Sequence, residues 1–430
     1  MSELNIMVEH LTRVEGHGNI ILHAKDGKVE KVEWQVSEAP RFFEVMVKGR
    51  DYSQLSHITS RICGICSIGH ALASLKATEA AMEVRISEQT HILRRLGLHG
   101  ENIQSHILHV GYLVAPDLFG VGSVFPLIKT HPEAVKKIIS IHRLANEMSD
   151  LICGRTTHPI TLTVGGFTKI PSEKSLKNLR KRLFEAKETV EEIAALVKDN
   201  AHRLPEFKRE TEYIALTSTQ EYALYDGDIG STDTKPQPVE EYLNITNEFV
   251  VPQSTAKYTR HLRESYMVGA LARFNINYQK LCAFAKEVAA MFDLKPVCYN
   301  PFMNNVAQVV EIAHSIFDSI SLIDILLDNG LKEEKPKVEV KAGRGIGAVE
   351  VPRGILFHDY TIDQQGRCIK ANCIIPTNQN HNNIQKDLEA LAPQIIEKPR
   401  EQVELTLEML VRAYDPCISC STHYLTVKFV

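Results

Sequence analysis

The chain contains the segment Arg61-Ile-Cys63-Gly-Ile-Cys66-Ser-Ile-Gly-His70 and, near its other end, the segment Asp415-Pro-Cys417-Ile-Ser-Cys420-Ser-Thr-His423. Each segment holds a Cys-x-x-Cys pair. Most of the chain separates the two pairs, so it must fold back on itself for them to meet. Four thiolates that converge form a soft site, which suits zinc, nickel, copper(I) or iron rather than magnesium or calcium. The two pairs therefore predict a metal centre that is assembled from both ends of the chain.

The composition is typical of a soluble globular protein and excludes several other classes. The chain has 430 residues, enough for two or three domains with ample core. Its 49 basic and 53 acidic residues give a net charge of −4, which indicates neither a nucleic-acid surface nor a membrane surface. The nine cysteines are an odd number and lack the density of a disulfide scaffold. With neither a signal peptide nor an apolar run of ~20 residues, the sequence predicts a cytoplasmic protein without membrane insertion.

The pattern of apolar residues predicts a mainly α protein with small β additions. Residues 1–60 are expected to form a β-rich segment, with strands at 19–24 and 28–36 joined by the turn signal Asp26-Gly27. Residues 61–335, which begin with the first cysteine pair, are expected to form a helical core. Residues 336–430 are predicted to contain β structure, a helix and the second cysteine pair, packed back on the core as one interlocked unit.

The same periodicity gives the expected elements inside these segments. Helices are predicted from Ser67 onward and at about 87–113, 131–153, 173–203, 255–293, 301–329 and 384–413. The polar stretch 226–238 predicts a loop. Strands are expected at 338–341, 354–363 and 367–375, the last two joined around Gln364-Gln365-Gly366.

Spacing alone leaves several kinds of cysteine site open. A structural zinc site needs only four tetrahedral sulfurs, and two Cys-x-x-Cys pairs are its usual parts. Such sites, however, usually stabilise short segments that lack a core, which a chain of this length does not need. A thioredoxin-like redox pair is disfavoured because neither pair lies in a strand–Cys-x-x-Cys–helix unit. A redox-active or catalytic metal remains beside structural zinc.

The flanks of both cysteine pairs resemble the two signature motifs of the large subunit of nickel–iron hydrogenases. Three further segments resemble motifs of that family and occur in the same order: Thr12-Arg13-Val14-Glu15-Gly16-His17, Phe43-Glu44 ahead of Val47-Lys48-Gly49-Arg50, and Val351-Pro352-Arg353-Gly354. The resemblance covers nearly the whole chain. It implies a helical core like that of the hydrogenase large subunit, a fold shared with a homologous subunit of respiratory complex I that lacks the four cysteines.

The resemblance assigns roles to the four sulfurs. It implies that Cys63 and Cys417 are terminal nickel ligands. It implies that Cys66 and Cys420 bridge nickel and iron, and that the iron carries cyanide and carbon monoxide. A centre of this kind can split H2 heterolytically while a nearby base accepts the proton. The implied reaction is H2 ⇌ 2H+ + 2e−.

Two further residues gain a role from the resemblance. Glu15 alone would be a solvated loop residue, but the matching family glutamate lies beside a nickel-bound cysteine and relays protons. Arg353 alone would be an exposed arginine in a β-turn region. The matching arginine lies over the open coordination position, where a guanidinium can stabilise developing negative charge, and Pro352 would shape the same pocket.

Three more residues are expected around these groups. Asp117 matches an aspartate that pairs with Arg353, although it could instead be a turn former after Pro116. Asp415 matches another aspartate near the same arginine, with a turn before Pro416 as its alternative. His70 lies one helical turn beyond Cys66 and is expected to reach back toward a bridging sulfur, unless it is a structural histidine.

A second metal site is implied by resemblance alone. Glu44 and His423 match family ligands of a magnesium or iron ion near the C-terminus, and a backbone carbonyl around residues 373–375 would complete the set. In many family members a protease cleaves just after the histidine that corresponds to His423. Here only residues 424–430 follow.

The resemblance also predicts partners. Because four cysteines are committed to the centre, no set remains for an iron–sulfur cluster in this chain. Electrons would therefore leave through an iron–sulfur small subunit, an obligate partner. The sequence looks most like the cytoplasmic hydrogenases, whose assemblies add flavin or further iron–sulfur subunits. The competing hypothesis is a non-catalytic scaffold with a structural four-cysteine zinc site.

Overall fold

The computed structural model describes residues 3–422 and is mainly helical. Helices account for about 52% of the residues, so the predicted fold class is confirmed. The helices are α1 Phe43–Val47, α2 Tyr52–Thr59, α3 Ser67–Met82, α4 Glu88–Leu108, α5 Ala115–Phe119, α6 Phe125–Thr130, α7 Pro132–Cys153, α8 Glu173–Asn200, α9 Tyr242–Thr246, α10 Ala270–Asn277, α11 Ala283–Met291, α12 Asn304–Asn329, α13 Pro376–Ile395, α14 Arg400–Ala413 and α15 Ile418–Ser421.

Short strands form small sheets around the helices. They are β1 Glu3–Val8, β2 Gly18–Lys25, β3 Lys28–Val36, β4 Leu162–Thr163, β5 Gly166–Phe167, β6 Glu212–Thr217, β7 Asp228–Ser231, β8 Tyr266–Met267, β9 Gly343–Val351, β10 Gly354–Ile362 and β11 Cys368–Ile374. Three of the sheets have three strands, in the orders β1-β2-β3, β7-β6-β8 and β11-β10-β9.

The N-terminal sheet is an antiparallel meander whose second hairpin was predicted. Strands β2 and β3 pair on either side of Asp26-Gly27, and both turn residues have positive φ, as a tight two-residue hairpin requires. Strand β1 was not predicted. It is short, and Ile6 and Val8 are the residues that it buries.

The helical core packs α4 against α7 and α12, and α8 against α7 and α12. The predicted helix at 87–113 ends as α4 at Leu108, and a π-helical turn over His109–Val114 follows it. Gly111 lies in this turn because a Cβ there would come within 2.4 Å of Ile138 on α7. Among residues 3–422 no helix is both long and apolar enough to cross a membrane.

The strand predicted at 338–341 is wrong, because the strand in this part of the chain is β9. The observed strand begins at Gly343, and its glycines hide it from a search for alternating apolar residues. They are required because β9 lies directly on α3: a Cβ on Gly345 would come within 2.2 Å of the Ala77 carbonyl oxygen. The turn between β9 and β10 consists of Pro352-Arg353, as expected.

Two predicted helices have the wrong bounds. The helix expected at 255–293 begins only at Ala270, because Tyr266 and Met267 pair with β6. It is then interrupted by a 3-10 turn at Tyr278–Lys280 before α11. The single helix expected at 384–413 is two helices, α13 ending at Ile395 and α14 beginning directly after Pro399. Strand β7 lies within the predicted loop at 226–238.

Helix α13 ties the N-terminal sheet to the C-terminal cysteine segment. Trp34 Nε1 donates a hydrogen bond to His381 Nδ1 at 3.0 Å, and His381 Nε2 lies 2.8 Å from Ser421 Oγ. All three residues are buried. One hydrophobic core runs from Ile6 to Cys420, while the division of the chain at residues 60 and 335 stays a prediction.

We expect His381→Gln to weaken the acid sensitivity of the apoprotein. Burial lowers the pKa of His381 to about 3, whereas an unfolded histidine titrates near ~6.5. The contribution of neutral His381 to the free energy of unfolding is therefore complete above pH ~6.5 and is lost as the pH falls toward 3. At pH 5 the free energy of unfolding is lower by roughly 2 kcal/mol for this reason. Urea unfolding at pH 7 and pH 5 measures it. Equal acid sensitivity of variant and wild type would contradict the expectation.

Candidate metal centre

The two cysteine pairs meet in the folded chain, as their residue type and pattern predicted. Cys63 follows a 3-10 turn, Cys66 precedes α3, and Cys417 and Cys420 lie at and within α15. The four Sγ atoms all lie within 4.8 Å of one another, and those of Cys63 and Cys417 are 3.4 Å apart. All four residues are at most 6% exposed. A water-excluded set of four soft donors fits a thiophilic metal centre.

Backbone groups and one arginine hold the sulfurs in place. The N–H groups of Ile65 and Cys66 point at Cys63 Sγ at 3.3 and 3.5 Å. Arg41 donates to the carbonyl oxygens of Ile62 and Ser419, one neighbour from each cysteine pair. The two ends of the chain are thus joined by a side chain as well as by any bound metal.

The pKa values of the cysteine thiols are shifted in opposite directions within the cluster. Hydrogen bonding, chiefly from Cys417, lowers the pKa of Cys63 well below its usual value. Hydrogen bonding with Cys420 and Cys63 raises the pKa of Cys417, and burial raises the pKa of Cys420 to about 11. Of Cys63, Cys417 and Cys420, Cys63 therefore has the thiol whose pKa is lowered, and the other two have raised pKa values. A cation that binds here displaces the thiol protons, since the thiolate is the ligand form.

Glu15 lies directly against the second cysteine pair. It forms a parallel β-bridge with Cys417, in which Ile418 N donates to the Glu15 carbonyl oxygen at 2.9 Å. Its carboxylate Oε2 is 3.2 Å from Cys417 Sγ and 3.1 Å from Ser419 N, and Ser419 Oγ donates to Oε1. A half-buried carboxylate in contact with a cluster sulfur can exchange a proton with it.

Arg353 is buried beside the sulfurs at 3% exposure. Its guanidinium donates to the Asp415 carboxylate at 2.7 Å and to the Asp415 carbonyl oxygen at 2.6 Å, and it contacts Ser105 Oγ at 3.2 Å. Burial alone would lower the pKa of Arg353. The negative charge of Asp415, followed by the charge of the cysteine sulfurs when they are thiolates, outweighs burial and holds the pKa of Arg353 above its usual value. The site therefore keeps a fixed positive charge next to the cluster.

Asp117 does not pair with Arg353, so the expected pairing is wrong. Its carboxylate accepts from Arg13 at 2.7 Å and from Arg412 at 2.9 and 3.0 Å. Asp117 lies on α5, beyond the π-helical turn, and two nearer arginines take both of its oxygens. On α4, Ser105 takes the place at Arg353 that was expected for Asp117.

His70 belongs to a buried chain of polar groups that connects α3 with β10. Its Nδ1 is 3.2 Å from His358 Nε2, and His358 Nδ1 is 2.6 Å from the hydroxyl of Tyr360. The Tyr360 hydroxyl donates to Ser74 at 3.1 Å. A contact between His70 and a bridging sulfur stays a prediction.

The proposed ligands of a second metal are partly described. Glu44 lies on α1 at 3% exposure. Helix α1 packs against β11, the strand that contains Cys373 and Ile374, and burial, followed by the charge of Glu44, raises the pKa of Cys373. Arg41 N donates to the Thr422 carbonyl oxygen at 2.9 Å, so α1 adjoins the residue before His423. His423 itself lies outside the described residues.

Glu101 on α4 was missed by the sequence analysis. Its carboxylate accepts hydrogen bonds from Ile68 N at 2.7 Å and Gly69 N at 3.1 Å, at the start of α3 directly after Cys66. Burial raises the pKa of Glu101 to about 8 against these hydrogen bonds. Glu101 and Ser105 are one helical turn apart among buried neighbours. Such a polar pair on a buried helix face was the available signal.

The comparisons with known proteins agree on one family. A family model described as nickel-dependent hydrogenase matches residues 41–140 and 210–423, and a HoxL-like model matches residues 5–39. The chain is 33% identical over 422 residues to sulfhydrogenase 1 subunit alpha of Pyrococcus furiosus, with 98% of each chain covered. It is 27% identical to NAD-reducing hydrogenase HoxS subunit beta of Cupriavidus necator, covering 98% of this chain and 95% of that one.

The fold gives the same answer. The solved structure of an NAD+-reducing NiFe hydrogenase in the H2-reduced state matches with a TM-score of 0.89 at 26% identity, over 98% of this chain and 99% of that chain. A kinship with a complex I subunit stays a prediction. With a family model matched over most of its length and a relative 33% identical along nearly all of it, this chain belongs to the nickel-dependent hydrogenases as a large subunit.

Proposed function

We propose that this chain is the catalytic subunit of a nickel–iron hydrogenase, which interconverts H2 with two protons and two electrons. The observation that carries the proposal is the buried four-sulfur cluster with a carboxylate 3.2 Å from one of its sulfurs. A structural zinc site has no use for that carboxylate, which adds a negative charge beside four thiolates.

The donor set fits nickel and iron. Cys63 and Cys417 would be the terminal nickel ligands, and Cys66 and Cys420 would bridge to an iron that carries cyanide and carbon monoxide. When bound, this centre would activate H2 and take up its electrons. The protein surrounds it with a burial that excludes water and strengthens every local charge interaction.

The side chains around the cluster would handle protons and charge. Glu15 would accept the proton released next to Cys417 and pass it outward, since its carboxylate is half-buried and the sulfurs are not exposed. Arg353 would stabilise the negative charge that develops at the centre, held in place by Asp415 and Ser105. Pro352 would shape the turn that presents Arg353. Asp415 and His70 would orient neighbouring groups by hydrogen bonding.

Electrons would leave through a partner. One relative is named subunit alpha of a sulfhydrogenase, and another is named subunit beta of an NAD-reducing hydrogenase. Both names support a multisubunit assembly. An iron–sulfur small subunit would accept the electrons, and flavin or further iron–sulfur subunits would follow. A magnesium or iron ion held by Glu44 and His423 would tie the C-terminal segment to α1.

Metal analysis combined with infrared spectroscopy tests the proposal. The purified complex is expected to contain nickel together with at least one iron per nickel, with carbonyl and cyanide stretching bands, and to evolve or consume H2. Zinc at four sulfurs without those bands would instead identify a non-catalytic scaffold, the competing function. The two outcomes are separable in one sample because zinc carries no such diatomic ligands.

A further inference from the structure

A second buried arginine lies behind the turn that carries Arg353. Arg273 is on α10 and is fully buried. Its Nε and Nη2 donate to the two carboxylate oxygens of Glu311, each at 2.6 Å, and its Nη1 donates to Glu350 at 2.8 Å. The two remaining N–H groups donate to the carbonyl oxygens of Val351 and Pro352, each at 2.9 Å. All five donors of the guanidinium are therefore used.

The two carbonyls belong to the peptide units on either side of Pro352. One precedes the proline and the other joins it to Arg353, so Arg273 holds both peptide planes of the two-residue turn. The Arg353 side chain leaves this turn and ends on Asp415 and Ser105. The Arg273 guanidinium thus holds the backbone of the turn, while Asp415 and Ser105 hold the guanidinium of Arg353, which the turn carries.

The start of α10 packs against the same turn. Gly269, with φ +120, caps α10, and a Cβ on it would come within 3.3 Å of the Arg353 carbonyl oxygen. Gly354, with φ +132, follows the turn, and a Cβ there would lie 2.9 Å from Gly269 N. Backbone meets backbone here, so a shift of α10 moves the turn directly.

Helix α12 connects both supports of Arg353. Glu311 is anchored by Tyr222 and His106, at 2.6 and 2.7 Å, and it holds Arg273. One turn earlier on α12, Gln308 donates to the Asp415 carboxylate at 3.1 Å. The turn and the carboxylate that receives Arg353 therefore share one rigid element, which fixes their relative position.

We propose that Arg273 is a positioning residue that sets the backbone of the Pro352–Arg353 turn and thereby the place of the Arg353 guanidinium at the metal centre. This inference rests on the proposed function, in which Arg353 acts at that centre. Lysine cannot replace Arg273 without loss, because it has three donors and no planar fork to span two carboxylates and two carbonyls.

The test uses the assembled enzyme with Arg273→Lys and, as a matched control, Arg94→Lys. Arg94 is equally buried and donates to both oxygens of Glu79 at 2.6 and 2.7 Å, and to Tyr225 and Thr163, but it does not contact the turn. Arg273→Lys is expected to lower kcat about 10- to 100-fold with nickel and iron retained. It is also expected to speed hydrogen–deuterium exchange in residues 350–356. Arg94→Lys should do neither.

A double-mutant cycle with Arg353→Lys separates positioning from general damage. Arg353→Lys alone is expected to lower kcat at least ~100-fold. Adding Arg273→Lys should then lower kcat no further, because its effect acts through Arg353. Fully additive losses, or equal losses for Arg273→Lys and Arg94→Lys, would overturn the inference.

Two further outcomes keep the test decisive. If Arg273→Lys does not assemble, Glu350→Gln perturbs the same guanidinium more mildly, and its cycle with Arg353→Lys must show the same lack of additivity. If Arg353→Lys itself leaves turnover unchanged in a nickel–iron enzyme, the proposed role of Arg353 fails. Arg273 then loses its function with it, a result distinct from an additive cycle.

Discussion

Replacing Cys417 by serine is expected to abolish H2 turnover in a chain that still folds. Cys417 Sγ contacts both Cys63 Sγ, at 3.4 Å, and the Glu15 carboxylate. A serine oxygen is a hard donor with a much higher pKa, so it cannot replace a thiolate at nickel. The hydrophobic core extends along the described chain from Ile6 to Cys420, so most of the buried apolar residues lie outside the cysteine cluster. Turnover, nickel content and thermal unfolding are measured on the purified variant.

Cys368→Ser is the matched control for this loss. Cys368 is also fully buried, but its thiol donates to the Lys370 carbonyl oxygen at 3.3 Å, a bond that a serine hydroxyl can make. Turnover should survive in Cys368→Ser. If Cys417→Ser lowers the unfolding temperature severely while wild-type enzyme contains zinc, the four sulfurs stabilise the fold instead of acting in catalysis.

Replacing Glu15 by glutamine is expected to lower steady-state turnover by about 10²- to 10⁴-fold while nickel and iron stay bound. Glutamine has nearly the same shape and keeps one carbonyl oxygen, so it can accept one of the two hydrogen bonds that Ser419 donates to the two Glu15 oxygens, but it cannot take up a proton at neutral pH. The sulfurs are buried, so a proton released at Cys417 would leave through the Glu15 carboxylate, which contacts that sulfur.

The measurement compares turnover with metal content and with the infrared bands of the centre. Intact bands with lost turnover show that proton transfer, and not assembly, has failed. Glu33→Gln is a suitable control, since this β3 carboxylate contacts Lys31 and Gln35 rather than the cysteines. Normal turnover in Glu15→Gln would contradict the assigned relay, whatever the state of the metal.

Local chemistry made part of this structure predictable. The Asp26-Gly27 hairpin followed from turn chemistry, and the meeting of the cysteine pairs was expected because two Cys-x-x-Cys pairs are the usual parts of a four-sulfur metal site. The position of Arg353 in a two-residue turn followed from its proline and glycine neighbours. In each case the signal lies in short motifs whose residue types are specific.

Features that depend on distant partners were not predictable. The glycines of β9 look like breaks until the α3 backbone is placed against them. Asp117 was predicted to pair with Arg353. Its carboxylate instead accepts hydrogen bonds from Arg13 and Arg412, because α5, which follows the π-helical turn, lies near these two arginines. Arg273 lies within an ordinary helical segment, and only the fold brings its guanidinium to the carbonyls of Val351 and Pro352.

The β-bridge between Glu15 and Cys417 has a consequence for the biosynthesis of the enzyme. During translation the first cysteine pair leaves the ribosome long before the second. Glu15 therefore lacks Cys417, its partner in the β-bridge, until that part of the chain has been synthesised. The four sulfurs are thus synthesised at two widely separated times. A metal that needs all four can be fully ligated only after Cys417 and Cys420 have been made, and Cys63 and Cys66 stay available to it only if they remain reduced until then.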